Sequence, residues 1–411
     1  MSVPSPVPSA DSLMSLPDAR PPRRLKIAIV SDGLGDVIAG SFISTIRFAD
    51  LLHARGHDIV LISSGPPRRR GEGRFHGMTM HRFPGPLIPW SDGQLYLGVP
   101  APGRLRWILE TEQVDAVHVM VPLPLGLIAL RVGKALGLPV VMHSHTQPEN
   151  IFMNSPRFPG YEALYRRFCD YLNWLYRQAD MMIYPSAFAF RQFPALAGGP
   201  HVVISNGVDR DRFRPMSPGA FKVQCGIPEG RLHLLYVGRL HKEKDVATLV
   251  RAVPLLRERV PGCHLSLVGL GYERADLTEL ARALGVGTHV TFCGFVPDDD
   301  LSAAYTSADL FVMPSLAELE GMAVLEAMAC GRPLLVANAQ YSAAVDFVHG
   351  NGLLFNAGDP RHLAEQACQL LEAPATLQAM GQASLSMSAL FDIHESARAL
   401  ESVYYSVIGA S

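Results

Sequence analysis

The sequence predicts an α/β protein of two doubly wound, Rossmann-like domains facing each other across a cleft. Three observations point there. Runs of Val, Ile and Leu alternate with helix-period segments from Leu25 onward, the pattern of βαβ units whose parallel sheet is covered on both faces. The alternation comes as two series, separated by the turn cluster Ala195-Leu-Ala-Gly198-Gly199-Pro200. A chain of 411 residues with 48% apolar composition can bury two cores of ordinary size.

Residues 1–24 read as a disordered tail, because prolines recur among serines and no apolar core follows a basic start, which argues against a signal peptide. The first domain, 25–197, opens with a strand over 26–31. A glycine-rich turn follows through Gly33, Gly35 and Gly40, then a helix over about 42–55 and a strand over 59–63. Further strands are expected over 116–119, 140–143 and 181–184. The second domain, 198–385, takes strands over 202–205, 232–238, 264–269, 290–294, 310–314 and 334–337. The most apolar stretch, 116–130, is interrupted by Pro122 and Pro124 and falls short of the roughly 20 residues a spanning helix needs, so no transmembrane segment is expected.

A net charge of −2 supplies no field that would gather nucleic acid. The six cysteines are scattered without C-x-x-C spacing, which argues against a zinc knuckle or a disulfide framework and places the chain in a reducing cytosol.

The most informative segment is Glu318-Leu-Glu320-Gly321-Met322-Ala323-Val-Leu-Glu326. An apolar strand ending at Pro314 feeds a short helix over 322–330 through a glycine turn. That geometry aims the free amides of Gly321, Met322 and Ala323, with the positive end of the helix dipole, above the carboxyl edge of the sheet, where an anion binds well. Glu318 and Glu326 then bracket a ligand with an anion in the middle and hydroxyls at both ends, as in a nucleotide sugar. Tyr236-Val-Gly238-Arg239-Leu-His-Lys-Glu-Lys244 adds two cations on a strand-to-helix turn expected to be exposed, suited to a diphosphate leaving group.

The glutamate segment resembles the Glu-x7-Glu motif of retaining glycosyltransferases with the GT-B fold, in particular family 4, the glycosyl transferases group 1. Glu320 stands where that family usually carries an aromatic. The resemblance implies that Arg239 and Lys244 bind phosphate, that Glu318 holds sugar hydroxyls and that Glu326 binds ribose. It further implies that Gly294 and Val296 contact the base through backbone, and that Gly40 leaves room for the diphosphate. Gly238 lies in the matching glycine-arginine-lysine element. His145 and Thr146, after the strand that ends at His143, match a position contacting donor sugar and acceptor, with His143 on the acceptor side; a plainly hydrogen-bonded His143 is the competing reading. The family needs no metal or other cofactor. In keeping with that, Asp298, Asp299 and Asp300 read as N-capping and first-turn acids of a helix. The final helix, within 386–411, is expected to cross back onto the first domain.

The function expected is therefore transfer of a hexose from a nucleoside diphosphate sugar, UDP-sugar first, to an acceptor hydroxyl with retention of configuration. A membrane lipid such as diacylglycerol is the first acceptor considered, because the aromatic and arginine-rich segment 161–177 and the basic residues 68–70 would seat the first domain on an anionic membrane surface. The competing readings are a soluble sugar or small-molecule acceptor, and a non-catalytic nucleotide-sugar-binding subunit. Localisation is expected to be cytoplasmic, peripheral on the inner face of the membrane if the lipid acceptor holds.

Overall fold

The computed structural model describes residues 23–34, 40–66, 71–87, 96–155, 157–217 and 219–409. The expected tail over 1–22, Gly35 and the basic residues 68–70 lie outside the described residues. Eight strands build the first sheet: β1 (Lys26–Val30), β2 (Asp58–Gly65), β3 (Gly71–Phe75), β4 (Met78–Pro84), β5 (Ala116–Val119), β6 (Val140–His143), β7 (Met181–Tyr184) and β8 (His201–Val203). Their order is β3-β4-β2-β1-β5-β6-β7-β8, parallel throughout except for the β3–β4 hairpin. Strands β5 and β6 are buried at every position, which is why they read as unbroken apolar runs.

The second sheet takes β9 (Leu232–Val237), β10 (Cys263–Val268), β11 (Val290–Gly294), β12 (Leu310–Met313), β14 (Leu334–Asn338) and β16 (Gly352–Asn356) in the order β11-β10-β9-β12-β14-β16, all parallel. The two-residue strands β13 (Ala317–Glu318) and β15 (Tyr341–Ser342) pair separately.

Two features depart from the sequence reading. The segment 202–205, expected to open the second domain, forms β8 of the first sheet, with Ile183 opposite Val202 and Tyr184 opposite Val203. The Gly198-Gly199-Pro200 cluster is thus a turn inside the first lobe, since glycine and proline punctuate connections within a sheet as strongly as those between domains. The β3–β4 hairpin was also not anticipated. It turns on His76 and Gly77, both with left-handed φ (50° and 80°), the requirement of a two-residue loop that matches strand twist.

The chain crosses between lobes twice, and the crossings touch. Val208 N–H donates to the Phe391 carbonyl (2.7 Å) and Ile393 N–H to the Val208 carbonyl (3.2 Å). Gly207, at φ 71°, packs so closely that a Cβ there would lie 2.6 Å from the Ile393 Cα. The final helix, Ile393–Gly409, buries Ala397, Leu400, Val403, Tyr404 and Val407 in the same apolar cluster as Ile27, Ile29 and Phe48 of the first lobe.

Candidate active site

Among the parallel strands of each sheet the order reverses once, between β1 and β5 in the first and between β9 and β12 in the second. Loops leaving neighbouring strands at such a point run to opposite faces and open a crevice beyond the carboxyl ends. The two crevices meet in one cavity of about 860 Å³. Of the residues singled out in the sequence, Gly40, His145 and Thr146 line it from the first lobe; Gly238, Arg239, Lys244, Val296, Glu318, Gly321, Met322, Ala323 and Glu326 line it from the second. Gly294 and His143 do not.

The anion site is made by the turn after β13. Gly321 takes φ 101°, a conformation open to glycine, and caps the helix Met322–Ala329. Val324 N–H, bonded to the Gly321 carbonyl at 2.8 Å, is the first amide of this helix to find a backbone partner, and those of Gly321, Met322 and Ala323 precede it. Opposite stands the start of the helix Gly40–Ala54: a Cβ on Gly40 would sit 3.9 Å from the Met322 sulfur. Two helix N-termini therefore face one space, both favouring negative charge.

Lys244 and Arg239 each hold a carboxylate. Lys244 Nζ lies 2.6 Å from Glu318 Oε1. Arg239 Nη2 lies 2.9 Å from Glu243 Oε1, and the other Glu243 oxygen accepts from Asn154 Nδ2 (2.7 Å) across the cleft. Tyr272 O–H donates to Asn154 Oδ1 (2.5 Å), completing a chain from the first lobe to Arg239. Burial alone would raise the Glu243 carboxyl, but Lys244, Arg239 and Asn154 carry it below the usual range. The turn expected to be exposed is only half so: Arg239 reaches solvent, while Glu243 and Lys244 are buried. The loop is packed against its neighbour, since Cβ atoms on Gly269 and Gly271 would lie 1.9 Å from the Gly238 carbonyl oxygen and 2.2 Å from that of Leu240.

Glu326 is buried and accepts from two lobes, from Tyr305 O–H at Oε2 (2.9 Å) and from Arg47 Nη2 at Oε1 (3.0 Å). Its carboxyl is pushed up by burial, against the pull of Arg47 and Tyr305. Glu320, in the place of the family's aromatic, also lines the cavity. It is spent on the crossing segment, accepting from Ser205 O–H (2.5 Å), the Asn206 amide (3.1 Å) and Asn206 Nδ2 (2.6 Å), and burial raises it to about 7.

His145 forms part of the first-lobe wall, but the reading of His143 as an acceptor contact fails. His143 ends β6 inside the lobe, where the pleat turns it beneath the wall rather than into the cleft. It is sandwiched between His145 (ring centroids 4.1 Å apart, 18° between planes) and His118 (5.7 Å, 13°), and neither ring nitrogen finds a partner among the described residues. The column ends where His118 Nδ1 meets the Tyr404 hydroxyl of the final helix at 2.7 Å. Burial lowers all three imidazoles, His118 and His145 to about 3 and His143 well below its ordinary value, which favours a neutral column.

Gly294 sits behind the lining, its carbonyl accepting from the Gly269 amide (2.8 Å), and positions a loop rather than a ligand. Asp298, Asp299 and Asp300 stand in the first turn of their helix as expected, but the capping half of that reading is corrected. Pro297 is the N-cap of the helix Asp298–Ser307 and no side chain caps it. Asp298 and Asp299 instead pair with Arg212 (3.1 and 2.6 Å), and Asp298 also lies 3.6 Å from Arg47 Nη2. A different group, Asp209, Asp211 and His394, offers three ligand atoms within 4.8 Å of one another. There Asp209 Oδ1 already accepts from the amides of Asp211 and Arg212, which gives it a structural use at the crossing.

Two Rossmann-like lobes closed on one anion-binding cleft define a GT-B glycosyltransferase. A family model for glycosyl transferases group 1 matches residues 220–387, and one for Glycosyltransferase Family 4 matches 38–212. The chain is 30% identical over 293 residues to the GDP-mannose-dependent alpha-(1-6)-phosphatidylinositol monomannoside mannosyltransferase of Mycobacterium tuberculosis, covering 68% of this chain and 72% of that protein. It is 29% identical over 301 residues to the sulfoquinovosyl transferase SQD2 of Arabidopsis thaliana, 71% of this chain but only 56% of that longer protein. The solved structure of Anabaena HepE with UDP-glucose superposes with a TM-score of 0.72 at 20% identity, over 93% of this chain and all of that one. The chain belongs to the group 1 glycosyltransferases, which transfer sugars from nucleotide donors.

Proposed function

We propose that this protein transfers a hexose from a UDP-sugar to the hydroxyl of a membrane lipid, with retention of anomeric configuration and without a metal. One observation carries the reading: Glu318 and Glu326 flank the free amides of 321–323, with Lys244 2.6 Å from Glu318 and Arg239 on the same wall. In this arrangement the amides, Lys244 and Arg239 receive the β-phosphate, Glu318 the sugar hydroxyls and Glu326 the ribose. His145, held neutral, serves as a hydrogen-bond partner for the sugar rather than as an acid.

The acceptor oxygen attacks the anomeric carbon from the face the diphosphate leaves. The glycosidic bond to phosphate breaks as the new carbon–oxygen bond forms, and the acceptor proton passes to the departing β-phosphate oxygen. Charge builds on that phosphate, and preorganised cations and amides meet it most effectively in a closed site.

The lipid acceptor is favoured by the helix Tyr161–Tyr176, which leaves Leu164, Trp174, Arg166 and Arg167 exposed, with Ile151 and Phe158 exposed just before it. Among the described residues no helix is long and apolar enough to cross a membrane. The Mycobacterium tuberculosis relative is named for a phosphatidylinositol acceptor and for GDP-mannose. GDP-mannose is accordingly the competing donor and a soluble sugar the competing acceptor. The test is a matrix of UDP- and GDP-hexoses against diacylglycerol vesicles and soluble sugars, reading released diphosphate and the anomeric proton coupling of the product. An inverted product refutes retention, turnover with soluble acceptors alone refutes the lipid, and no turnover with any pair favours a non-catalytic subunit.

A further inference from the structure

Arg47 lies three turns or fewer into the first lobe's opening helix, on the face that carries Gly40 and Ile43 to the cleft. Its side chain is only 12% exposed. Nη2 spans the lobes to Glu326 Oε1 (3.0 Å) and Asp298 Oδ2 (3.6 Å), and the guanidinium carbon lies 5.4 Å from the centroid of the Phe213 ring. Nε and Nη1 are buried with no hydrogen-bond partner among the described residues. A carboxylate offers about four acceptor positions. Arg47 fills one on Oε1 and Tyr305 one on Oε2, leaving one on each oxygen, and the 2′ and 3′ hydroxyls of a ribose are two donors.

We propose that Arg47 is the first lobe's contribution to the ribose end of the donor site, a positioning residue that holds Glu326 as an oriented acceptor for the ribose diol. The proposal rests on the reading of Glu326 as the ribose ligand. Four groups act on that carboxylate: Arg47 from the first lobe; Tyr305 and Asp298 from the helix Asp298–Ser307; and Cys330 one turn along its own helix, while Arg212 pairs with Asp298 from behind. Burial and Asp298 both favour the protonated acid, and Arg47 is the largest opposing influence. A protonated Glu326 loses an acceptor position and cannot take both hydroxyls. Ribose recognition thus depends on the lobes being together.

The experiment compares affinities of UDP with 2′,3′-dideoxy-UDP, and of GDP with its dideoxy form, by calorimetry from pH 6 to 8. The proteins are the full chain, Arg47→Met, Arg47→Lys and Glu326→Gln, each checked for an unchanged melting profile. The native chain is expected to prefer the ribonucleotide at least tenfold at every pH. Glu326→Gln should erase most of that preference. Arg47→Met should cut it at least fivefold at pH 7, with the loss deepening toward pH 6 as Glu326 takes up a proton, and Arg47→Lys should recover part. A native ratio and a flat pH response in Arg47→Met, with the preference lost in Glu326→Gln, overturns the role of Arg47 and leaves the ribose reading standing. A native ratio in Glu326→Gln removes the ribose reading itself and the proposal with it. If Arg47→Met does not fold, Arg47→Gln, which keeps a donor amide without the charge, is read by the same criteria.

Discussion

Lys244 and Glu318 pair with one another at 2.6 Å, almost out of solvent. A donor that inserts its diphosphate beside Lys244 and its sugar beside Glu318 replaces one buried pair by two charge-assisted contacts, so neither group is left stranded. Lys244→Ala and Arg239→Ala should each reduce kcat by about 100-fold to 1000-fold, the usual cost of a lost preorganised donor. Turnover of the native chain should persist in EDTA; its abolition by EDTA and rescue by Mg²⁺ would refute the metal-free clamp. The histidine column makes a second prediction. In the unfolded chain these imidazoles titrate near 6.5, whereas in the fold burial lowers all three, His118 and His145 to about 3. The unfolded state binds more protons below 6.5, so the stability these groups confer is complete above that pH and declines as pH falls from there toward 3. His143→Phe keeps a stacked ring without the titration and should make the unfolding free energy from urea titrations less dependent on pH below 6.5. At this scale the residues legible in the sequence were those joined by one short turn, Glu318 with Glu326 and Arg239 with Lys244. Arg47, Asn154 and His118 were missed because each meets its partner only when distant segments pack. Arg47 did leave a trace, an arginine seven residues after Gly40 and so on its helical face.

Strands buried on both faces were read from their apolar runs, and the turn at Gly321 from its glycine. The hairpin of β3 and β4 was not, because Gly71-Glu-Gly-Arg-Phe75 is polar and glycine-rich; the alternation Met78-Thr-Met80 after His76-Gly77 was the available signal. The burial of Lys244 was misjudged for a related reason: the loop after β9 is covered by the loop after β10, a neighbour the local sequence does not announce. Gly269→Ala tests that contact. A Cβ 1.9 Å from the Gly238 carbonyl must push the Arg239 loop aside, so stability should fall by about 1–3 kcal/mol, and calorimetric donor affinity should drop even where the protein remains folded. Unchanged affinity in a folded variant would show that this loop does not hold the diphosphate.

Over the whole molecule, the exposed aromatics and arginines of Tyr161–Tyr176 lie on the first lobe alone. If that lobe docks on lipid, the chain should co-sediment with phosphatidylglycerol vesicles at low salt and release at high salt. Arg166→Glu with Arg167→Glu should weaken binding by about 1 kcal/mol or more per residue, and equal binding to neutral vesicles would contradict an anionic surface. Docking of one lobe leaves the other free to move, and the crossings decide how. Since Val208 is bonded on both sides to the returning chain, at Phe391 and Ile393, the two links form a ribbon rather than two separate threads. A ribbon bends easily across its width and resists shear and twist along it. The second lobe is therefore expected to swing like a door on one pin, along a single angular coordinate, with Arg47 to Glu326 and Asn154 to Glu243 as the latches at its free edge. Spin labels across the cleft should report distances that move together along one line as nucleotide is added, with no second, independent displacement.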